Sequence, residues 1–202
     1  MSGKIYLTSG GYIEGQRGEK LDKIIEGSSV GKKVLIVDNA TTTGSNLKGK
    51  GIVINDFSLI AEKVEVLTLT KDNLDEINNY DVIYLLGGDV TPLIELANNS
   101  NASEIIKTYV KNGGIIFGES AGSMIFGKDL KWIYDIKRGE KPKWDAILSS
   151  YKGFGLFDVN IFPHWNKVSE QLKENATKYE EENKMVITRL VDGDWLEFDF
   201  DE

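Results

Sequence analysis

The chain alternates between short apolar runs and longer stretches in which apolar residues recur at helical spacing. The runs are Lys4–Thr8, Lys33–Val37, Val64–Thr68, Val82–Leu86 and Ile115–Phe117. Several, such as Lys-Val-Leu-Ile-Val at 33–37, are apolar at consecutive positions, the pattern of strands covered on both faces. Between them lie predicted helices: Glu19–Glu26 (Leu21, Ile24, Ile25), Asn55–Lys63 (Phe57, Ile60, Ala61) and a short one over Asp72–Asn78. Another begins with Thr91 as cap and Pro92 in the first turn, and a further one covers Ala102–Asn112. Strand alternating with helix predicts an α/β fold: a three-layer α/β/α arrangement with a mostly parallel sheet and right-handed crossovers. Sites in such sheets lie at the carboxyl ends of the strands, so the loops 38–44, 87–91 and 118–122 should converge.

The pattern loosens after residue 130. Lys131–Ser150 is polar and aromatic, with Trp132, Tyr134 and Trp144, and reads as an irregular excursion or flap. Gly153–Leu156 is a turn, and Val159–Phe162 is a strand ending at Pro163-His164-Trp165. Asn166 is placed to cap a long helix reaching Asn183, whose Glu180-Glu181-Glu182 cluster is read as its solvated end. Met185–Leu190 and Trp195–Phe200 flank Asp192-Gly193-Asp194, a hairpin signature, which adds a C-terminal antiparallel hairpin to the sheet.

Composition narrows the classes. At 202 residues the chain fits a single domain, 1–202, with a sizeable core. A net charge of −8 disfavours nucleic acid and anionic membrane surfaces as partners. There is no Cys, which excludes disulfides, thiolate metal sites and a Cys nucleophile. No apolar stretch approaches ~18 residues and the N-terminus lacks a signal-peptide pattern, so the expected location is cytoplasmic. The expected state is a monomer or small homo-oligomer. Phosphate-loop and dinucleotide fingerprints are absent; Ser9-Gly10-Gly11-Tyr12 does not satisfy the latter. One His and no Cys argue against zinc, and no metal or organic cofactor is expected. Ser45-Asn46 and Thr41–Thr43 are polar enough to bind a ligand, a role that loops of this composition usually lack.

The strand Ile115–Phe117 runs into Gly118-Glu119-Ser120-Ala121-Gly122, a G-x-S-x-G at a strand-to-helix turn. The pattern alone is weak in a chain with 21 Gly; the strand before it and the apolar helix after it supply the nucleophile-elbow context. Serine at neutral pH needs a base, and the base needs an orienting acceptor. His164 is the single histidine and ends a strand on the same side of the sheet, so it is the one candidate base. Asp135 lies between the two in sequence, with Asp129, Glu140, Asp145 and Asp158 as competitors. Glu119, next to the serine, is expected to point away, and Asp192 and Asp194 are explained by the hairpin turn. The backbone N–H groups of Gly88 and Ala121 are placed to form an oxyanion hole.

Three blocks, Leu85-Leu86-Gly87-Gly88-Asp89-Val90-Thr91, Phe117-Gly118-Glu119-Ser120-Ala121-Gly122-Ser123 and Phe162-Pro163-His164, resemble the dipeptidase E and cyanophycinase-like serine peptidases. The resemblance implies a class I glutamine-amidotransferase-like sheet and hydrolysis of a short peptide's amide bond through an acyl-enzyme, without a cofactor. It implies Ser120 as nucleophile, His164 as base, Asp135 as the closest match to the triad acid, and Gly88 with Ala121 as oxyanion donors. The chain departs from the family at Asp89, usually Asn, where a carboxylate would favour a substrate's free amino group. It also departs in having no Arg between Trp165 and Asn183, where aspartyl dipeptidases carry arginines suited to a substrate carboxylate. An esterase or small amidase on the same elbow, and a non-catalytic protein with an inert elbow, are the alternatives.

Overall fold

The computed structural model describes residues 3–11, 19–41 and 45–200. Its main sheet has six strands among the described residues: β1 (Gly3–Thr8), β2 (Lys33–Val37), β3 (Lys63–Leu67), β4 (Val82–Leu85), β5 (Ile115–Glu119) and β8 (Trp195–Phe200). Two further strands, β6 (Ile161–Phe162) and β7 (Thr188–Arg189), pair with each other. The main order is β3-β2-β4-β5-β1-β8, parallel throughout except for β8, which runs antiparallel along β1. Predicted and observed strands agree to within one or two residues over β1–β4.

Alternate side chains of these strands enter two separate cores. Ile5, Leu7, Leu35, Val37, Ile83, Leu85 and Ile116 face one side. There they meet α3 (Thr91–Asn99), α4 (Ala102–Lys111), α6 (Lys131–Lys137) and α7 (Glu170–Asn183). Tyr6, Val34, Ile36, Val82, Tyr84 and Phe117 face the other, where α1 (Glu19–Ser29) contributes Leu21 and Ile25, and α2 (Ser45–Ser58) contributes Val53 and Phe57. That is the expected three-layer α/β/α architecture. Both faces of the sheet are covered, which is why its strands lack a polar alternation. Among the described residues no helix is long and apolar enough to cross a membrane.

Five expectations need correction. Helix α2 starts at Ser45, ten residues before the predicted Asn55, because the Gly-rich stretch at 49–51 is carried by packing of the Val53 and Phe57 face. Lys131–Ser150 is no loose flap throughout: α6 buries Trp132, Ile133, Tyr134 and Ile136. The cap of α7 is Ser169, whose Oγ accepts from Leu172 N at 3.3 Å, while Asn166 lies in a 3₁₀ turn before it. Finally, the antiparallel C-terminal strand is present, but the two arms around Asp192 do not pair with one another. β7 pairs parallel with β6 in a second sheet, and β8 joins β1. Glu180 also differs from the solvated end expected of its cluster, since it pairs with Arg189 and accepts from Ile187 N, tying α7 to β7.

The turn after β5 is held by close backbone approach. A Cβ at Gly122 would stand 2.4 Å from Leu85 O, and one at Gly118 would stand 2.4 Å from Gly122 O. Ser123, fully buried, bonds Thr8 O at 2.7 Å and Gly118 O at 2.6 Å, stapling α5 (Ala121–Met124) to β1 and β5. Gly122→Ala therefore forces backbone apart in a packed layer. We expect a loss of about 1–3 kcal/mol or more, read as a lower urea midpoint at unchanged m-value; an unshifted midpoint would contradict this packing.

Candidate active site

The carboxyl ends of β2, β4 and β5 meet at a cavity of about 1340 Å³, whose wall includes Thr41, Gly88, Ser120, Ala121 and His164. Ser120 has φ 50° and ψ −106°, a backbone region that L-residues avoid. Such a conformation costs of order 1–3 kcal/mol and persists only where its surroundings impose it. Here Ser120 N donates to Thr8 O at 3.0 Å, and Ser120 O accepts from Ser123 N and Met124 N, both at 3.0 Å. The result is a hydroxyl held at the cavity wall, half exposed.

His164 lies two residues after β6, also with positive φ (57°). Its Nε2 is 3.0 Å from Ser120 Oγ and its Nδ1 is 2.6 Å from Asp192 Oδ1. The backbone of His164 is anchored to the end of β1, where Ser9 Oγ accepts its N–H at 2.7 Å. Asp192 is anchored in turn. Its N–H donates to Asn166 Oδ1 at 3.0 Å, and its Oδ2 is 2.6 Å from Lys167 Nζ. Burial pushes the Asp192 carboxyl up, but the contacts from Lys167 and His164 outweigh it and hold the group below its ordinary range.

Asp135, the acid expected from the sequence, does not reach this site. It sits on α6, where it pairs with Lys131 and Arg138 and accepts from Tyr179 Oη at 3.2 Å. The order along the chain is thus Ser, His, Asp. The side chain assigned to a hairpin turn is the one bonded to the imidazole, because β7 runs beside β6 and delivers residue 192 next to residue 164.

Gly88 (φ 138°) and Ala121 line the cavity beside Ser120. Neither backbone N–H has a hydrogen-bond acceptor among the described residues. Asp89 does not line the cavity. Its Oδ1 accepts from Thr91 N at 2.9 Å and from Thr91 Oγ1 at 2.8 Å, so it fixes the start of α3 where the sequence had suggested a contact with substrate. Glu119, beside the serine, is held by buried contacts. It is buried beneath Gly87, with Tyr84 Oη donating to its Oε2 at 2.9 Å and the Gly87 N–H bonded to the carboxyl. Burial raises it to about 7.

The cavity is cationic although the chain is acidic. Lys48, Lys50, Lys137, Lys141, Lys143 and Lys167 line it. Lys50 is paired with Asp38 and Lys167 with Asp192. Lys137 has no ion-pair partner among the described residues; its Nζ lies 5.0 Å from the Trp144 ring centre and 4.9 Å from that of Phe162. Burial, then repulsion from Lys143 and Lys141, lowers it to about 8. Of the sequence-stretches singled out as polar, Thr41 is at the wall, whereas Tyr12, Thr42, Thr43 and Gly44 lie outside the described residues.

A serine on a strained elbow, bonded through one imidazole to a carboxylate, is the geometry of the serine hydrolase class. Comparison with known proteins is narrower. The model of peptidase family S51 matches residues 5–202, and the chain belongs to that family of serine-type peptidases. It is 24% identical over 163 residues to an uncharacterized peptidase of Listeria innocua, Lin0382, covering 76% of each chain. It is 27% identical over 135 residues to peptidase E of Haemophilus influenzae, covering 67% of this chain and 59% of that one. Across the curated relatives, the match spans about half to three quarters of their length. A crystal structure of a protein assigned to peptidase E from Listeria monocytogenes EGD-e superposes with TM-score 0.74 at 20% identity, covering 100% of this chain and 96% of that one. That likeness is one of fold.

Proposed function

We propose that the chain hydrolyses short peptides, dipeptides among them, with Ser120 as nucleophile, His164 as general base and acid, and Asp192 holding the imidazole. The observation that carries this is the continuous link Asp192–His164–Ser120 at 2.6 and 3.0 Å. Nε2 takes the hydroxyl proton as Oγ attacks the peptide carbonyl. The unpartnered N–H groups of Gly88 and Ala121 would stabilise the oxyanion. The protonated imidazole then passes its proton to the leaving amine, and water repeats the sequence on the acyl-enzyme. An inert elbow would be indicated by an imidazole out of reach of the serine; here they are in contact. We also propose that the chain works as one domain, since the three side chains come from residues 120, 164 and 192.

The lysines extend the proposal to substrate charge. Carboxylate recognition was sought among arginines after Pro-His, and none is there. Lys137 and Lys143 supply cationic groups from the 131–145 segment, and Lys143 Nζ is 3.3 Å from Gly88 O. We therefore expect peptides with an acidic residue before the scissile bond to be preferred. The sign of the pH dependence follows. Lys137 is charged below about 8 and loses its charge above it, so attraction for a carboxylate is full at lower pH and fades as pH rises through that value. The ratio of kcat/KM for Asp-X to that for Ala-X, measured by amine release from pH 6.5 to 9.5, should fall severalfold, and Lys137→Met should flatten it. A wild-type ratio that stays constant would refute the lysine reading.

A further inference from the structure

The Gly87–Gly88 peptide is held from one side only, by a residue with no role in the triad. We propose that Thr41 and Glu119 are positioning residues that aim the Gly88 N–H into the cavity; this rests on the oxyanion role proposed for Gly88. In a trans peptide the C=O of Gly87 and the N–H of Gly88 point in opposite directions. Thr41 Oγ1 donates to Gly87 O at 3.2 Å. That bond holds the carbonyl on Thr41, while the Gly88 N–H, on the opposite side of the peptide, has no acceptor among the described residues. Thr41 is itself set by its N–H, which donates to Asp38 O at 2.8 Å, and is 7% exposed.

The neighbouring peptides are pinned at both ends. Leu86 N donates to Val37 O at 3.0 Å, and the Gly87 N–H is bonded to the Glu119 carboxyl. On the other side Asp89 N donates to Ala40 O at 2.8 Å and Gly88 O accepts from Lys143 Nζ at 3.3 Å. Only the Gly88 N–H is left over. Two consecutive glycines have the greatest freedom to rotate this peptide. A flip would replace a donor with a carbonyl oxygen at the place where negative charge develops. Thr41 and Glu119 oppose that flip from the two sides of Gly87. Neither touches the reacting atoms. They act through the direction of one N–H.

The test reads the oxyanion site without depending on the peptide substrate. A fluorophosphonate probe is attacked by Ser120 Oγ at phosphorus with loss of fluoride, and the phosphoryl oxygen takes the oxyanion position. Wild type, Thr41→Val, Thr41→Ser, Glu119→Ala and Glu119→Gln are compared for labelling rate, and for kcat and KM on a dipeptide. Removing an oxyanion donor outright costs about 10²–10³ in rate. A donor left free to turn should cost about tenfold. Thr41→Val is near-isosteric and should slow labelling and kcat by about tenfold with KM within twofold. Thr41→Ser, which keeps the hydroxyl, should recover most of the loss. Glu119→Gln keeps an acceptor for Gly87 N–H and should likewise exceed Glu119→Ala; if the alanine variant does not fold, the Thr41 pair decides. Wild-type labelling in Thr41→Val, equal loss in Val and Ser, or an effect on KM alone would each overturn the proposal. If wild type labels but cleaves no dipeptide, the substrate assignment fails while the labelling rates still decide. If wild type does not label, the nucleophile assignment fails and this proposal with it.

Discussion

Asp192→Asn should lower kcat by about four orders of magnitude, while Asp135→Asn should leave it within about twofold. An imidazole serves as base only if its proton sits on Nδ1, leaving Nε2 free to accept from the serine. Asp192 Oδ1, 2.6 Å from Nδ1, enforces that tautomer and stabilises the imidazolium that forms. Asparagine fits the same space but presents an amide that can favour the other tautomer, so the geometry survives and the chemistry does not. A loss of about 10⁴ is the scale expected for such a change. KM should move little. The control is as informative as the test, because among the described residues the Asp135 carboxyl bonds to Lys131, Arg138 and Tyr179 and not to the imidazole. Kinetics on both variants, with urea midpoints to show that each is folded, checks the assignment. A large loss in Asp135→Asn with none in Asp192→Asn would reverse it.

Ser120→Ala should have the larger effect. It removes the atom that bonds to the substrate, and the residual rate is whatever the donors and the bound geometry achieve with water as nucleophile. A fall of about 10⁵–10⁶ in kcat is the expectation for a triad acting as a unit. The strained backbone at φ 50° adds a second, opposite signature. Alanine pays the same strain as serine, and the mutation deletes only an Oγ contact to His164. Stability should therefore change by less than about 1 kcal/mol, so that lost activity cannot be ascribed to unfolding.

The parts of this site that were legible in the sequence are those with a local signature. An apolar strand ending in G-x-S-x-G marks Ser120, and a single histidine after a strand has no competitor as base. The consecutive apolar runs gave the parallel sheet because burial on both faces leaves no polar alternation. The carboxylate beside the imidazole had no such mark. Asp192-Gly193 satisfies a turn, and a turn does follow β7, but the short β6–β7 pairing that swings it beside His164 is made by residues far apart in sequence. A signal was available in retrospect. Lys167, just past the histidine, is the kind of cation a buried carboxylate needs and contacts the Asp192 carboxylate, while Asn166 Oδ1 accepts from the Asp192 backbone N–H. The stretch Lys131–Ser150 departs from its expected irregular form for a related reason. Trp132, Ile133, Tyr134 and Ile136 are buried around most of a short helix, which erases the one-sided period by which helices are recognised. Glu119 was expected only to point away from the serine; its burial, made tolerable by the Tyr84 hydroxyl and the Gly87 N–H, has no local mark in the sequence.

The account stands on Ser120 as the nucleophile of a peptidase. The direct measurement is amine release from a panel of dipeptides with acidic, neutral and basic first residues, run side by side on wild type and Ser120→Ala. The predicted result is turnover by wild type, fastest on acidic members, and none above background by a folded Ser120→Ala. Undiminished turnover in the alanine variant would contradict the account.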